Sequence, residues 1–283
     1  MTVDLSEADT TVSRGTEPQP RQLIVTLFGL YARGERNWLS VASVVRMMDH
    51  IGVDGPSVRS SISRLKRRNV LLSARHDGVA GYSLSQSVLD VVNEGDSRIF
   101  GRRRATLDDN FLVLVFSVPE SERDKRHALR VTLTKLGFGT VAPGVWIAPA
   151  HTEREVREAL GRRGLSGYVE MFDGRHIAFG DLRSKIRQWW DLDELSLLYS
   201  DFITTHRPVL RRAREGQLSD QAAFTEYVPM LTTWRRLPYL DPGLPIALLP
   251  HGWNGVVAED LFADLNEALG GPAREHALKL IHQ

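Results

Sequence analysis

The chain has 283 residues, too many for one small domain and enough for two or three, and 42% of them are apolar, enough to build buried cores. It contains no cysteine, which excludes a disulfide framework and a thiolate metal site, and it has no run of about 18 or more apolar residues, so no membrane span is expected. The formal net charge of +1 hides an asymmetry, because residues 21–104 carry 14 Lys and Arg against 7 Asp and Glu.

The remaining blocks are near balance or slightly acidic: four acids and one Arg in residues 1–20, 10 bases against 11 acids in 105–182, and 11 against 13 in 183–283. A localised positive field attracts polyanions, of which nucleic acid is the commonest inside cells, although a solvated basic face has the same composition. The start of the chain lacks the charged-then-apolar pattern of a signal peptide, so a cytoplasmic location is expected.

Residues 1–20 are polar, rich in Thr, Ser, Glu and Pro, and read as a disordered tail. A helix opens at Pro20 or Arg21, and its stretch from Gln22 to Tyr31 is apolar on most sides, which requires burial or an interface. A second helix starts at Leu39-Ser40, with Ser40 as N-cap and Val41, Val44, Val45 and Met48 facing inward. After a turn from His50 to Gly55, a third helix runs from Ser57 to Arg68. Val58, Ile62 and Leu65 fall at helical spacing and pack inward.

The outer side of this third helix has only basic and small hydroxyl residues, and from Ser57 through Arg75 there are six bases and no acid. A structural surface helix normally interleaves acids with bases for i,i+4 pairing. Like charges at this density cost stability, and phosphate partners offset the cost. Ser57, Arg59, Ser60, Ser63, Arg64 and Arg67 are therefore expected in the major groove of double-stranded DNA, Arg reaching guanine edges or phosphates and Ser allowing close approach. Asn69 closes the helix, Val70-Leu71-Leu72 is a strand, Arg75 to Gly81 a turn, and Tyr82 to Ser85 the returning strand. Three helices followed by a hairpin make a winged helix. Its wing tip carries Arg75 and His76, which together with Lys66 and Arg68 are expected to hold phosphates.

A helix-like stretch from Ser87 to Asn93 leads into a basic run, Arg98 to Arg104, that reads as an interdomain linker. Phe111 to Val118 is a buried strand, followed by a helix to about Leu136, short strands around Pro143-Gly144, a helix from Thr152 to Arg163, and a strand from Tyr168 to Phe172. The order βαββαβ indicates a ferredoxin-like domain. The rest is mainly helical: Leu182 to Trp190; Leu192 to Arg214, broken before Pro208; Ser219 to Arg236, kinked at Pro229; and Val256 to Leu269, stopped by Gly270-Gly271-Pro272, before a short closing helix. The expected fold is α+β, with a tail (1–20), a winged-helix domain (21–97), a linker (98–108), a ferredoxin-like domain (109–180) and a helical C-terminal domain (181–283) expected to serve effector binding and dimerisation.

Four segments stand in order along the chain: Leu23-Ile24-Val25-Thr26-Leu27-Phe28-Gly29; Val58 to Leu65; Gly144-Val145-Trp146-Ile147-Ala148-Pro149; and Asp241-Pro242 with Leu244-Pro245, Leu248-Leu249-Pro250 and Trp253-Asn254-Gly255. On these segments the chain from residue 21 to about 280 resembles the PaaX-type transcription regulators, repressors of phenylacetic acid catabolism. The resemblance implies a homodimer on a partly palindromic operator, repression, and release by an acyl-CoA, typically phenylacetyl-CoA. The family often places a His three residues before the Arg of a Tyr/Trp-Arg pair. Here the pair is Trp234-Arg235 and the position is Thr232. Trp189, Trp190, Trp234 and Tyr239 are candidates to stack on an aromatic acyl group, and Arg235 to meet phosphate or carboxylate, against the plain alternative that these aromatics are core.

An enzyme is not expected. The middle domain looks like the fold of the CRISPR-associated Cas2 nucleases, which carry a metal-binding Asp at the end of the first strand, but here that strand ends Phe116-Ser117-Val118-Pro119. A hard divalent cation needs oxygen ligands, usually charged. The nine histidines include no i,i+3 or i,i+4 pair, and there is no nucleophile elbow or phosphate-binding loop. No catalytic residue, metal or cofactor is assigned. The sequence leaves open a transcriptional activator, and also a Cas2-like nucleic-acid-binding or protein-interaction module without catalysis.

Overall fold

The computed structural model describes residues 17–101, 103–177 and 179–283. Residues 1–16 of the expected tail, and Arg102 of the expected linker, lie outside them. The N-terminal part consists of α1 (Pro20–Leu27), β1 (Leu39–Ser40), α2 (Val41–His50), α3 (Gly55–Arg67), β2 (Leu71–His76) and β3 (Val79–Leu84). The three strands form an antiparallel sheet in the order β1-β3-β2. It is a winged helix.

Local chemistry explains the boundaries. Ser40 Oγ accepts the Ser43 N–H at 2.9 Å and caps α2. Asp54 caps α3, which starts at Gly55, two residues earlier than the expected start at Ser57. The wing is tighter than the expected Arg75–Gly81 turn, since β2 and β3 stay paired to His76↔Val79 and only Asp77-Gly78 turns, both at positive φ. That is the Asp-Gly signature of a two-residue hairpin. The strand β1, too short to announce itself, pairs Ser40 with Gly81, where a Cβ would stand 2.4 Å from the Leu39 carbonyl oxygen.

The helix α4 (Gln86–Phe100) outruns the expected stretch by seven residues and takes Arg98 into its last turn. The central part follows: β4 (Phe111–Phe116), α5 (Arg123–Lys135), β5 (Gly139–Ala142), β6 (Val145–Pro149), α6 (Glu153–Arg162) and β7 (Val169–Gly174), in one antiparallel sheet of order β5-β6-β4-β7, the ferredoxin-like arrangement. Leu112, Leu114, Trp146 and Ala148 share a core with Leu129, Leu133, Val156 and Leu160 from α5 and α6. On the other sheet face Phe111 and Ile147 join a larger core.

That larger core is continuous from α1 into the C-terminal helices α7 (Leu182–Trp189), α8 (Leu192–Arg214), α9 (Asp220–Trp234), α10 (Leu237–Leu240) and α11 (Gly255–Ile281). It answers why α1 is apolar on most sides: α1 packs on α2 and α3 within the winged helix and on α9 beyond it. Two expected breaks do not occur. Helix α8 runs through Pro208, and α11 runs through Gly270-Gly271-Pro272 without a stop. In each a proline removes one backbone bond, but α11 packs along both α8 and α9, and burial of Leu265, Leu269, Ala273 and Ala277 outweighs the local preference. The far end of α11 grips the winged helix, where Arg46 Nη2 donates to the Leu280 carbonyl at 2.8 Å and Ser43 Oγ to that of Ile281 at 3.3 Å.

Candidate nucleic-acid interface and ligand cavity

Helix α3 buries Val58, Ile62 and Leu65 and exposes Arg59, Ser60, Ser63, Arg64, Lys66, Arg67 and Arg68. Ser57 is different: its N–H and hydroxyl donate to Asp54 Oδ1 and Oδ2 at 2.8 and 2.7 Å, which fixes it in the cap. These bonds hold the Asp54 carboxyl below the usual carboxylate range, with Arg59 adding to the effect. Arg64, Lys66 and Arg67 lie in the last turn, where the helix dipole favours cations. Lys66 Nζ stands 5.7 Å over the Tyr82 ring of β3. On the wing, Arg75 is exposed and its Nη1 donates to the Gly78 carbonyl, while the half-buried His76 ring lies 5.0 Å from Trp38. Arg64, Arg67 and Arg68 also line a concavity of about 480 Å³ with Leu65 and Arg21, a residue that the reading of α3 alone passes over.

A second cavity, about 380 Å³ and partly open, lies where all three parts meet. Its apolar wall includes Val25 and Leu30 from the α1 segment, Val92 and Ile99 from α4, Leu136 after α5, and Leu231 from α9. Eight cationic side chains and four carboxylates complete it. Arg33 pairs with Asp96 at 2.5 Å and Arg162 with Glu94 at 2.9 Å. Arg98 is the knot: it pairs with Glu155 of α6, donates to the carbonyls of Leu136 and Pro238, and lies 4.8 Å over the Tyr239 ring. Burial pushes the Tyr239 hydroxyl up to about 12, so it stays protonated. The basic run expected as a linker thus contributes a cavity residue.

Three models of one family cover most of the chain: PaaX-like protein over residues 19–88, PaaX protein central Cas2-like domain over 104–186, and PaaX-like protein C-terminal domain over 190–279. The chain belongs to the PaaX-like family. The Transcriptional repressor PaaX of Escherichia coli (strain K12) is 25% identical over 279 residues, spanning 95% of this chain and 87% of that protein. An uncharacterized protein from Mycobacterium tuberculosis superposes with a TM-score of 0.59 at 20% identity, over 90% of this chain and 97% of that one, a likeness of fold.

In this PaaX-like chain the five aromatic and basic candidates in the C-terminal half do not converge. Arg235 and Tyr239 line the three-way cavity. Trp234 is one residue away but 2% exposed, stacked on Phe262 at 4.5 Å, with its Nε1 donating to the Ile99 carbonyl. Trp189 and Trp190 stand apart beside β5, where Trp190 Nε1 donates to the Gly137 carbonyl. Thr232, at the position the family often gives to His, is buried, with its hydroxyl oxygen 2.7 Å from the Val228 carbonyl oxygen and 2.8 Å from the hydroxyl oxygen of Thr26, which lines the cavity. It therefore stands behind the cavity wall. The Asp241-Pro242 signature is a buried anchor: Asp241 accepts from the Tyr199 hydroxyl, the Gly243 N–H and Arg104.

Proposed function

We propose that the protein is a DNA-binding transcriptional repressor, a cytoplasmic homodimer without catalytic activity. The observation that carries this reading is the exposed face of α3, which has basic and hydroxyl side chains alone from Ser57 onward, beside a wing carrying Arg75 and His76. Its relative's name as a transcriptional repressor points the same way. Ser60, Ser63, Arg59, Arg64 and Arg67 enter the major groove, with Ser57 at the helix start, and Lys66, Arg68, Arg75 and His76 hold phosphates.

The three-way cavity is the proposed effector site. An acyl-CoA or related aromatic catabolite, with phenylacetyl-CoA as the first candidate, combines phosphates for the guanidinium groups with an acyl group for the apolar wall. A ligand there releases DNA if it prefers a geometry of the three parts that fits the operator poorly. Fluorescence anisotropy on the duplex upstream of its own operon tests both halves. The double variant Arg64→Ala/Arg67→Ala should bind at least about tenfold more weakly, and unchanged binding refutes the recognition-helix assignment. Phenylacetyl-CoA should release the wild-type protein, while Arg235→Ala binds DNA normally and needs more ligand.

A further inference from the structure

Helix α4 follows directly on the wing, and α6 belongs to the central domain. Ion pairs join these helices at two places in the wall of the three-way cavity, with opposite polarity: Glu94 of α4 meets Arg162 of α6, and Arg98 of α4 meets Glu155 of α6. In the second pair the partners are unequal. The Arg98 side chain is 13% exposed and is also anchored by the carbonyls of Leu136 and Pro238. The Glu155 side chain is 35% exposed, and one of its oxygens meets Nη1 of Arg98. Stranding a largely buried guanidinium without an anion is costly, whereas a partly exposed carboxylate loses little by returning to water. This contact is therefore changed at least cost by exchanging Glu155 for another anion. The cavity can supply one, since eight cationic side chains against four carboxylates line it and attract polyanions.

We infer that Glu155 is a built-in placeholder for a phosphate group of the ligand. It holds Arg98 in the unliganded protein, and a ligand phosphate entering the cavity takes its place. This role rests on the effector-site reading above and adds the step by which occupancy is registered. The exchange removes an ionic link between α4, next to the DNA-reading part, and α6 of the central domain, while Arg98 keeps an anionic partner throughout. Phosphate suits the exchange, because it brings more charge than a carboxylate and an oxygen acceptor for a guanidinium that is already fixed in position.

Isothermal titration calorimetry of the full-length protein with phenylacetyl-CoA tests this, with a thermal melt of each variant to confirm folding. Glu155→Gln keeps the shape of the side chain and removes the charge that the ligand must displace. It should bind the ester about fivefold more tightly, the exchange cost of a partly exposed ion pair. The ester concentration that releases half of the operon duplex, read by anisotropy, should fall by the same factor. Coenzyme A, which has the phosphates without the acyl group, should show the same gain. Glu158→Gln takes an equal charge from the same helix and cavity wall but leaves the Arg98 contact in place, and should change affinity by less than about twofold, through screened charge alone. Equal affinities of the wild type and Glu155→Gln overturn the placeholder while leaving the effector site standing. A gain as large in Glu158→Gln also overturns it, in favour of a general charge effect. A wild-type protein that neither binds the ester nor is released by it overturns the effector-site reading, and the placeholder with it.

Discussion

Acidification should unfold the C-terminal helices partly through one imidazole. His206 on α8 is 9% exposed, with its ring 4.7 Å from that of Phe202. Burial pushes its pKa down to about 4, against a smaller opposing pull from Glu226, whereas in the unfolded chain it returns to about 6.5. Between those values the unfolded state binds the extra proton, so stability falls as pH falls. The group has no effect well above pH 6.5. Its contribution then declines by up to about 1.4 kcal/mol per pH unit and levels off below pH 4. The shift amounts to about 2.5 kcal/mol by pH 4.5. Urea unfolding followed by circular dichroism at pH 7.5, 6.5, 5.5 and 4.5, on the wild type and His206→Leu, isolates it, because contributions from other groups cancel in the difference. The wild type should lose that amount relative to the variant between pH 7.5 and 4.5. Parallel pH profiles would refute the argument that a neutral buried imidazole sits there.

Two further substitutions probe how the parts are joined. Gly81→Ala puts a methyl group 2.4 Å from the Leu39 carbonyl oxygen and the Trp38 ring, which are backbone and packed aromatic rather than a flexible chain end. A loss of about 3 kcal/mol in a thermal melt is expected, with weakened DNA binding because the wing shifts, and a loss under about 1 kcal/mol would show that β1 yields freely. Arg104→Ala removes the cation that contacts the fully buried Asp241 at 3.1 Å and Glu259 at 2.6 Å. Removing the cation from a buried ion pair costs about 3 kcal/mol or more, and an unchanged melting temperature would mean that the other partners of Asp241, Tyr199 and the Gly243 N–H among them, suffice.

Much of the fold was legible because its signals are local. Val58, Ile62 and Leu65 repeat at the helical period, Ser40 caps in place, and the alternation of strands and helices from Phe111 onward orders the central sheet. Gly270-Gly271-Pro272 misled because a local stop signal has no knowledge of the α8 and α9 surfaces that hold α11 straight. The basic face of α3 was readable for the same reason as the helix. The cavity was not: Arg33, Arg98, Arg162 and Arg235 are scattered over two hundred positions and meet only through packing. Trp189, Trp190 and Trp234 show the converse, since aromatic composition says nothing about which rings face a ligand and which fill a core.

The core shared by α1, α9 and α11 has a mechanical meaning. The DNA-reading head is not a bead on a string. It is bolted to the C-terminal helices by α1 on one side and by Arg46 and Ser43 on the tip of α11, a rod about 40 Å long. In the proposed dimer the two heads then behave as the jaws of a caliper, whose opening is set at the seam with the central domain. Cutting out residues 21–97 would discard the caliper and leave the α9-facing side of α1 exposed to water.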